Sequence, residues 1–446
     1  MGDTMGAATA TPRAGESRGG RHTTRRHELD WLRTAAVFGL IPFHVAIIFT
    51  TSSLDYVKNA QTSAVMDLLT SFVSIWGISL IFLVAGAAAR FALASRSVGQ
   101  YLNERVLRLL VPFTFGMLLI VPAQIYIGRL SSPTPPSFIA FYGDFLGTLL
   151  GVFTLHFPPG PEWIGHLWFI PPLMLFAALA LPFAWLLRKP AAARVVDWLA
   201  RGWRGYAALA LLGLPLALVQ YIASMSGTWF TTTETRFVGN AIGVLAYLLF
   251  FLYGYLLYLD ERLIGSLRRD AGLTLALGAG AWLALEYGLP GWQGLNASPH
   301  LAKAAAALAL GYCAWWWVAG ILGMAARYLH FTTPTVEYLS RAAYPVYIIH
   351  MPILSLIAFW VVRLDMPIAP KFLLIVVASL AASLAVYDLL IRRVGVLRLL
   401  FGLNAGGSPP GTPRTRLPGM GARPTQRRRA ADVRSIWNRR AAQARS

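Results

Sequence analysis

Apolar residues dominate this chain in runs too long to be the single faces of soluble helices. Ten such stretches of about 20 residues fall near 32–51, 70–90, 109–128, 166–187, 205–223, 237–258, 271–288, 304–324, 343–362 and 372–391. A bilayer core about 30 Å thick is crossed by about 20 helical residues rising 1.5 Å each. The pattern predicts an all-α fold, a polytopic integral membrane protein with about ten transmembrane helices. One further apolar run, 138–153, reads as a re-entrant or interfacial helix. The polar, Arg-rich first 28 residues are expected to be a disordered cytoplasmic extension, residues 29–400 the ten-helix domain, and 401–446 a disordered basic cytoplasmic tail. The first apolar run is too long and too late for an ordinary cleaved signal peptide and is expected to stay as the first membrane helix.

Composition sharpens this reading. The 446 residues are 56% hydrophobic and 13% charged, with a mean hydropathy of +0.55; a soluble chain carries about twice that share of charge. The 15 tryptophans and 17 tyrosines suit interfacial anchoring. The net charge of +20 is not evenly spread, since ten of the 39 Lys and Arg follow Asn404. That tail reads as an orientation signal that touches anionic membrane lipid rather than as a nucleic-acid arm. With the N-terminus in the cytoplasm, the loops on that side hold 14 Lys and Arg and the opposite loops 6. The expectation is an inner (cytoplasmic) membrane protein with both termini inside. The single cysteine, Cys313, allows no internal disulfide and no Cys-based metal site, and no metal is expected. The loop 129–165, rich in Pro and aromatics, is expected to be ordered and to cap an outward-facing cavity.

Four groups of residues carry candidate chemistry. The first is Arg33 at the mouth of the first helix with His44 eleven positions on, about 16 Å further along the axis. Ionisable groups at membrane depth are expensive and mark function, although a histidine can also serve as hydrogen-bonding glue between helices. The second is Arg105 with Arg108, which at i and i+3 share a helix face and can grip phosphate, or can simply anchor a cytoplasmic loop. The third is His166-Leu-Trp168 opening the fourth span, with Glu162 just before it, either a sugar-stacking pocket or plain interfacial aromatics. The fourth is Tyr347 and His350 in the ninth span, which can share a channel with His44 if the two helices are neighbours. Asp388 lies within reach of Arg392.

Taken together these residues resemble the membrane-bound acyltransferase-3 family. The resemblance rests on Asp30-Trp-Leu-Arg33 with Ile41-Pro-Phe-His44, on Arg105-x-x-Arg108, on His166-Leu-Trp168-Phe and on Tyr344-Pro-x-Tyr347-x-x-His350. It covers about residues 26–395 and is closest to the branch that modifies periplasmic glucans. It implies transfer of an acyl group, acetyl or succinyl, from cytoplasmic acyl-CoA as co-substrate to a carbohydrate acceptor at the outer face. Carried over by position, His44 is the catalytic histidine with Arg33 and Asp30 beside it, and Arg105 and Arg108 meet the donor's phosphates. His166, Trp168, Glu162, Tyr347 and His350 line the acceptor side, with Tyr347 and His350 as wall or proton-shuttle candidates. Arg33 can stabilise the oxyanion only if it lies nearer His44 than one straight helix allows. Direct attack and an acyl-histidine relay both stay open, as does homo-oligomerisation. The rival reading is a proton-coupled transporter or flippase of an anionic or glycan substrate, against which stands the absence of visible internal repeats. A non-catalytic scaffold is the third reading.

Overall fold

The computed structural model describes residues 26–51, 57–153, 164–202, 206–225, 241–288 and 300–403. Among these, all regular structure is helical and there is no strand. The predicted N-terminal extension (but for its last residues), the basic tail and Glu162 lie outside the described residues.

Thirteen helices follow in order: α1 (His27–Ile48), α2 (Ala64–Ser95), α3 (Val98–Arg129), α4 (Phe138–Phe153), α5 (Gly165–Leu186), α6 (Pro190–Gly202), α7 (Tyr206–Met225), α8 (Ala241–Leu257), α9 (Glu261–Leu283), α10 (His300–Tyr328), α11 (Pro334–Val361), α12 (Ile368–Ile391) and α13 (Gly395–Leu400). Helices occupy all ten predicted stretches. Seven of them are long and apolar enough to cross a membrane: α1, α2, α3, α5, α10, α11 and α12. The α8–α9 pair is bent by 110° at the turn between them, and counting it as one span gives up to eight. The apolar parts of α4 and α7, Phe138–Gly151 and Leu211–Met225, are shorter. The sequence count took α8 and α9 as separate spans, with the charged segment 259–270 as the loop between them.

Local chemistry explains where the site-bearing helices begin and how they run. Ser97 caps α3, its hydroxyl accepting from the Gln100 backbone N–H while the Gln100 side chain accepts from Ser97 N–H. Two widened π turns interrupt α3, Val106–Leu110 and Gly116–Ile120, each followed within two residues by a proline, Pro112 or Pro122. Proline has no N–H to give and crowds the carbonyl four residues before it, and a wider turn relieves both problems. Thr333 caps α11, its hydroxyl accepting from Val336 N–H, with Pro334 at the first helical position. α11 therefore begins nine residues before the predicted span.

The packed apolar residues form two cores. One gathers α2, α5, α7, α8, α9 and α10 around Phe82, Phe176, Phe250 and Trp315, and includes Leu29 and Leu32 from the start of α1. The other gathers α3, α4, α11, α12 and α13 with Ile41, Val45, Ile48 and Phe49 from the end of α1. In the first core α2 and α8 touch backbone to backbone: a Cβ added to Gly86 would collide with the carbonyl of Phe251, and one added to Gly254 with that of Leu83. Small residues of this kind let membrane helices approach closely where apolar side chains gain nothing over lipid. Trp168, Phe169 and Leu173 pack against both cores.

Candidate active site

α1 and α11 run side by side in the same direction, because their contacts climb both helices in the same order. Trp31 Nε1 donates to the Phe331 carbonyl at 3.0 Å just before α11. Two residues on, Arg33 bonds the Ser340 hydroxyl and pairs with Asp30 at 3.0 Å. Further along, the rings of His44 and His350 lie 5.6 Å apart. Each histidine is about 25 Å from the start of its own helix. The sequence spans had put them at different depths; the early start of α11 brings them level. Arg33, by contrast, stays at the mouth of α1, about 16 Å along the axis from His44, held there by Asp30 and Ser340. It is not placed to meet charge developing at His44.

A third histidine completes the cluster. Gly165 has a φ of +53°, which a side chain would strain, and it opens the tight turn Gly165–Phe169 that leads into α5. The turn inserts His166 between α3 and α11, with its ring 5.3 Å from that of His350. Both His166 nitrogens are engaged, Nδ1 at 2.6 Å from Gln124 Oε1 and Nε2 at 2.8 Å from the Ile348 carbonyl. Tyr347 donates its hydroxyl to the His166 carbonyl at 2.8 Å. His166 is 7% exposed and His350 1%. The sequence reading left His166 and Trp168 as a sugar-stacking pocket or plain interfacial aromatics; here His166 is a buried tie between three helices, while Trp168 turns to Tyr247 at 6.0 Å. Gln124, which fixes the His166 ring, carries no signal in the sequence that marks it out from any other polar residue of a membrane helix.

His350 is held differently. Its Nδ1 lies 2.6 Å from the Tyr347 carbonyl, and its buried Nε2 has no hydrogen-bond partner among the described residues. No group of three His, Cys, Asp or Glu among the described residues is arranged to hold a metal ion.

At the end of the molecule where α1 begins lies a basic cluster. The Arg105 guanidinium sits 4.8 Å from the Tyr101 ring centre, and the Tyr101 hydroxyl donates to the Ala177 carbonyl at 3.1 Å. Glu104 is taken up by Arg96 at 2.9 Å. Arg90 and Arg188 act electrostatically on Tyr255, as does Tyr101. The Nε atoms of both Arg90 and Arg105 are buried with no hydrogen-bond partner among the described residues. Phe91, next to Arg90, packs edge-on against Tyr258 at 5.6 Å, and the Tyr258 hydroxyl donates to Glu28 in the first turn of α1 at 3.4 Å, so the cluster adjoins the mouth of α1. The π turn at Val106–Leu110 starts directly after Arg105 and alters the i,i+3 geometry on which the Arg105–Arg108 pairing depended; Arg105 is half-buried and Arg108 exposed. Arg90 was missed in the sequence, where it is one basic residue among several at a loop boundary. Asp388 pairs with Arg392 at 2.9 Å, as their spacing suggested.

Comparison with known proteins bears on this arrangement. The chain is similar to Glucans biosynthesis protein C of Salmonella paratyphi B and of Salmonella dublin, each 23% identical over 404 residues, covering 86% of this chain and 96% of the relative. The same protein of Salmonella paratyphi A is 22% identical over 397 residues, with the same coverage. No solved structure matches significantly. Residues 26–388, which hold the three histidines and the basic cluster, match the acyltransferase-3 family described as "Acyltransferase domain". The chain therefore belongs to that family, as a multi-pass, all-helical membrane acyltransferase.

Proposed function

We propose that this acyltransferase moves a short acyl group, acetyl or succinyl, from cytoplasmic acyl-CoA to a hydroxyl of a carbohydrate acceptor at the outer face of the inner membrane. Both termini are then cytoplasmic, with the mouth of α1 and the basic cluster facing the donor. The observation that carries the reading is the ladder of paired residues on α1 and α11: a cation at the mouth, Arg33 with Ser340, and two histidines level with each other at membrane depth. Arg90 and Arg105 are half-buried cations beside that mouth, each with a buried Nε that has no hydrogen-bond partner among the described residues, suited to the phosphates of the nucleotide end. Arg33 and Asp30 hold the donor's arm at the mouth. The names of the relatives point to a glucan-type acceptor.

An alcohol is a weak nucleophile at neutral pH. His44 takes the hydroxyl proton as the oxygen attacks the thioester carbonyl, and a water-excluded site strengthens that step. The carbon–sulfur bond breaks, the thiol leaves towards the cytoplasm, and the ester remains on the outer side.

The test is mass spectrometry of cell-envelope glycans from cells carrying wild-type protein, His44→Ala or a deletion, with equal protein in the membrane. An increment of one acyl mass per modified sugar is expected in the wild type alone. Persistence of that increment in His44→Ala removes His44 from the mechanism, and identical glycans in the deletion remove the carbohydrate acceptor.

A further inference from the structure

The Tyr347 carbonyl beside His350 Nδ1 can only accept, so Nδ1 carries the hydrogen and the neutral ring leaves Nε2 as a bare acceptor. That nitrogen is buried and unpaired among the described residues, in a residue 1% exposed. An unpaired buried acceptor is costly, more so at membrane depth, where bulk water cannot satisfy it. A histidine kept only as interhelical glue would spend this nitrogen on a donor. His166 is the contrast within the same cluster, with both of its nitrogens engaged. A backbone carbonyl sets the tautomer of each ring, Ile348 for His166 and Tyr347 for His350, but only His350 of the two has a lone pair to spare, and that ring lies between His44 at 5.6 Å and His166 at 5.3 Å. The titratable groups facing it are His44 from α1, His166 from the turn leading into α5, and Tyr347 from its own helix at 6.0 Å. Among the described residues, no carboxylate acts electrostatically on any of the three histidines. An imidazolium formed at His44 therefore has no counter-ion among those residues, and a charge at membrane depth is expensive.

We propose that His350 Nε2 receives, directly or through one bridging water, a proton from the far side of the His44 ring as His44 takes one from the acceptor hydroxyl. The inference rests on His44 acting as the base. As the acceptor oxygen bonds to the thioester carbon, its O–H bond breaks and the proton goes to one His44 ring nitrogen. The hydrogen on the other His44 nitrogen passes to His350 Nε2, so the positive charge is shared across two rings. The carbon–sulfur bond then breaks with its electron pair on sulfur. The proton returns by the same route to the thiolate, and both histidines end neutral. Alcohol and thioester become ester and thiol with nothing oxidised or reduced. His350 touches no reacting atom in this scheme and is a positioning residue that acts through His44.

The first measurement is ¹⁵N NMR of histidine-labelled wild-type protein in lipid nanodiscs. A non-protonated Nε2 signal that disappears in His350→Gln is expected; an Nε2–H assignment overturns the proposal. The second is thiol release from acetyl-CoA and succinyl-CoA with glucose oligosaccharides as acceptor. His350→Gln is expected to lower kcat on the order of 100-fold, with KM for the acyl-CoA within about threefold and an unchanged melting temperature. Added imidazole is expected to restore part of the rate of His350→Ala. A His350→Gln rate equal to wild type overturns the proposal, and so does a rate loss that follows lowered melting temperature and resists imidazole. A wild type inactive with these substrates fails the donor and acceptor reading instead, while the nitrogen signal still decides whether the bare acceptor exists.

Discussion

Arg33 and His44 share one face of α1's neighbourhood with α11, and each has an α11 partner: Ser340 for the arginine and, 5.6 Å away ring to ring, His350 for the histidine. The two helices therefore act as a ruler with a cation at one mark and a base at the other. The spacing between marks, about 16 Å, suits a donor whose charged part stays at the interface while its reactive end reaches membrane depth.

That ruler predicts a split between binding and chemistry. Arg33→Lys keeps the charge but loses the guanidinium whose Nη2 serves Asp30 and Ser340 together. The KM for acyl-CoA is expected to rise on the order of tenfold with kcat nearly unchanged. Ser340→Ala, which removes one neutral partner, is expected to raise KM about threefold, in line with about 0.5–1.5 kcal/mol for a hydrogen bond. Steady-state kinetics on purified protein read both.

The basic cluster predicts an order among arginines that the sequence alone did not give. Calorimetric binding of CoA is expected to weaken about tenfold or more in Arg105→Gln and in Arg90→Gln, whose Nε atoms are buried and unmet. Arg108→Gln, an exposed residue beyond the π turn, is expected to change the affinity less than threefold. Equal losses at Arg105 and Arg108 with none at Arg90 would restore the simple i,i+3 pairing.

Gly165 gives a stability prediction tied to the site. Gly165→Ala places a Cβ on a backbone at φ +53° and 3.2 Å from Val121. The left-handed conformation costs a non-glycine residue about 1–2 kcal/mol. Thermal unfolding is expected several degrees lower, with acyl transfer reduced further than stability alone explains, because His166 loses its register against Gln124 and Ile348.

The α2–α8 contact predicts a fold-level effect remote from the histidines. Gly86→Ala has to push two backbones apart, and overpacking a tight interface costs about 1–3 kcal/mol. Lower yield of folded protein in detergent is expected, whereas Gly39→Ala on α1, with nothing within 4 Å of its added Cβ, is expected to express like wild type.

The apolar helices were legible in the sequence because apolar length is a strong, local signal that needs no partner. The 110° bend after Leu257 was not, since hydropathy carries no information on the angle between successive helices. His44 and His350 stood out as ionisable groups in apolar surroundings. Their level depth did not, because it depends on Thr333 capping α11 well before its apolar run begins. The pairing of Arg105 with Arg108 assumed an ordinary helix, and Pro112 makes the turn between them a wide one. Gln124 and Arg90 take their meaning from neighbours far away in the chain, which no spacing rule reports.

α1 has a wider consequence. Its first turns are rooted in one core and its last turns in the other, so the helix that bears the chemistry belongs to both and is the sole property of neither. Repacking of the first core acts on its arginine end, and repacking of the second on its histidine end. Sequence drift deep in either half, far from any substrate, can thus retune the reaction without touching a single residue that performs it.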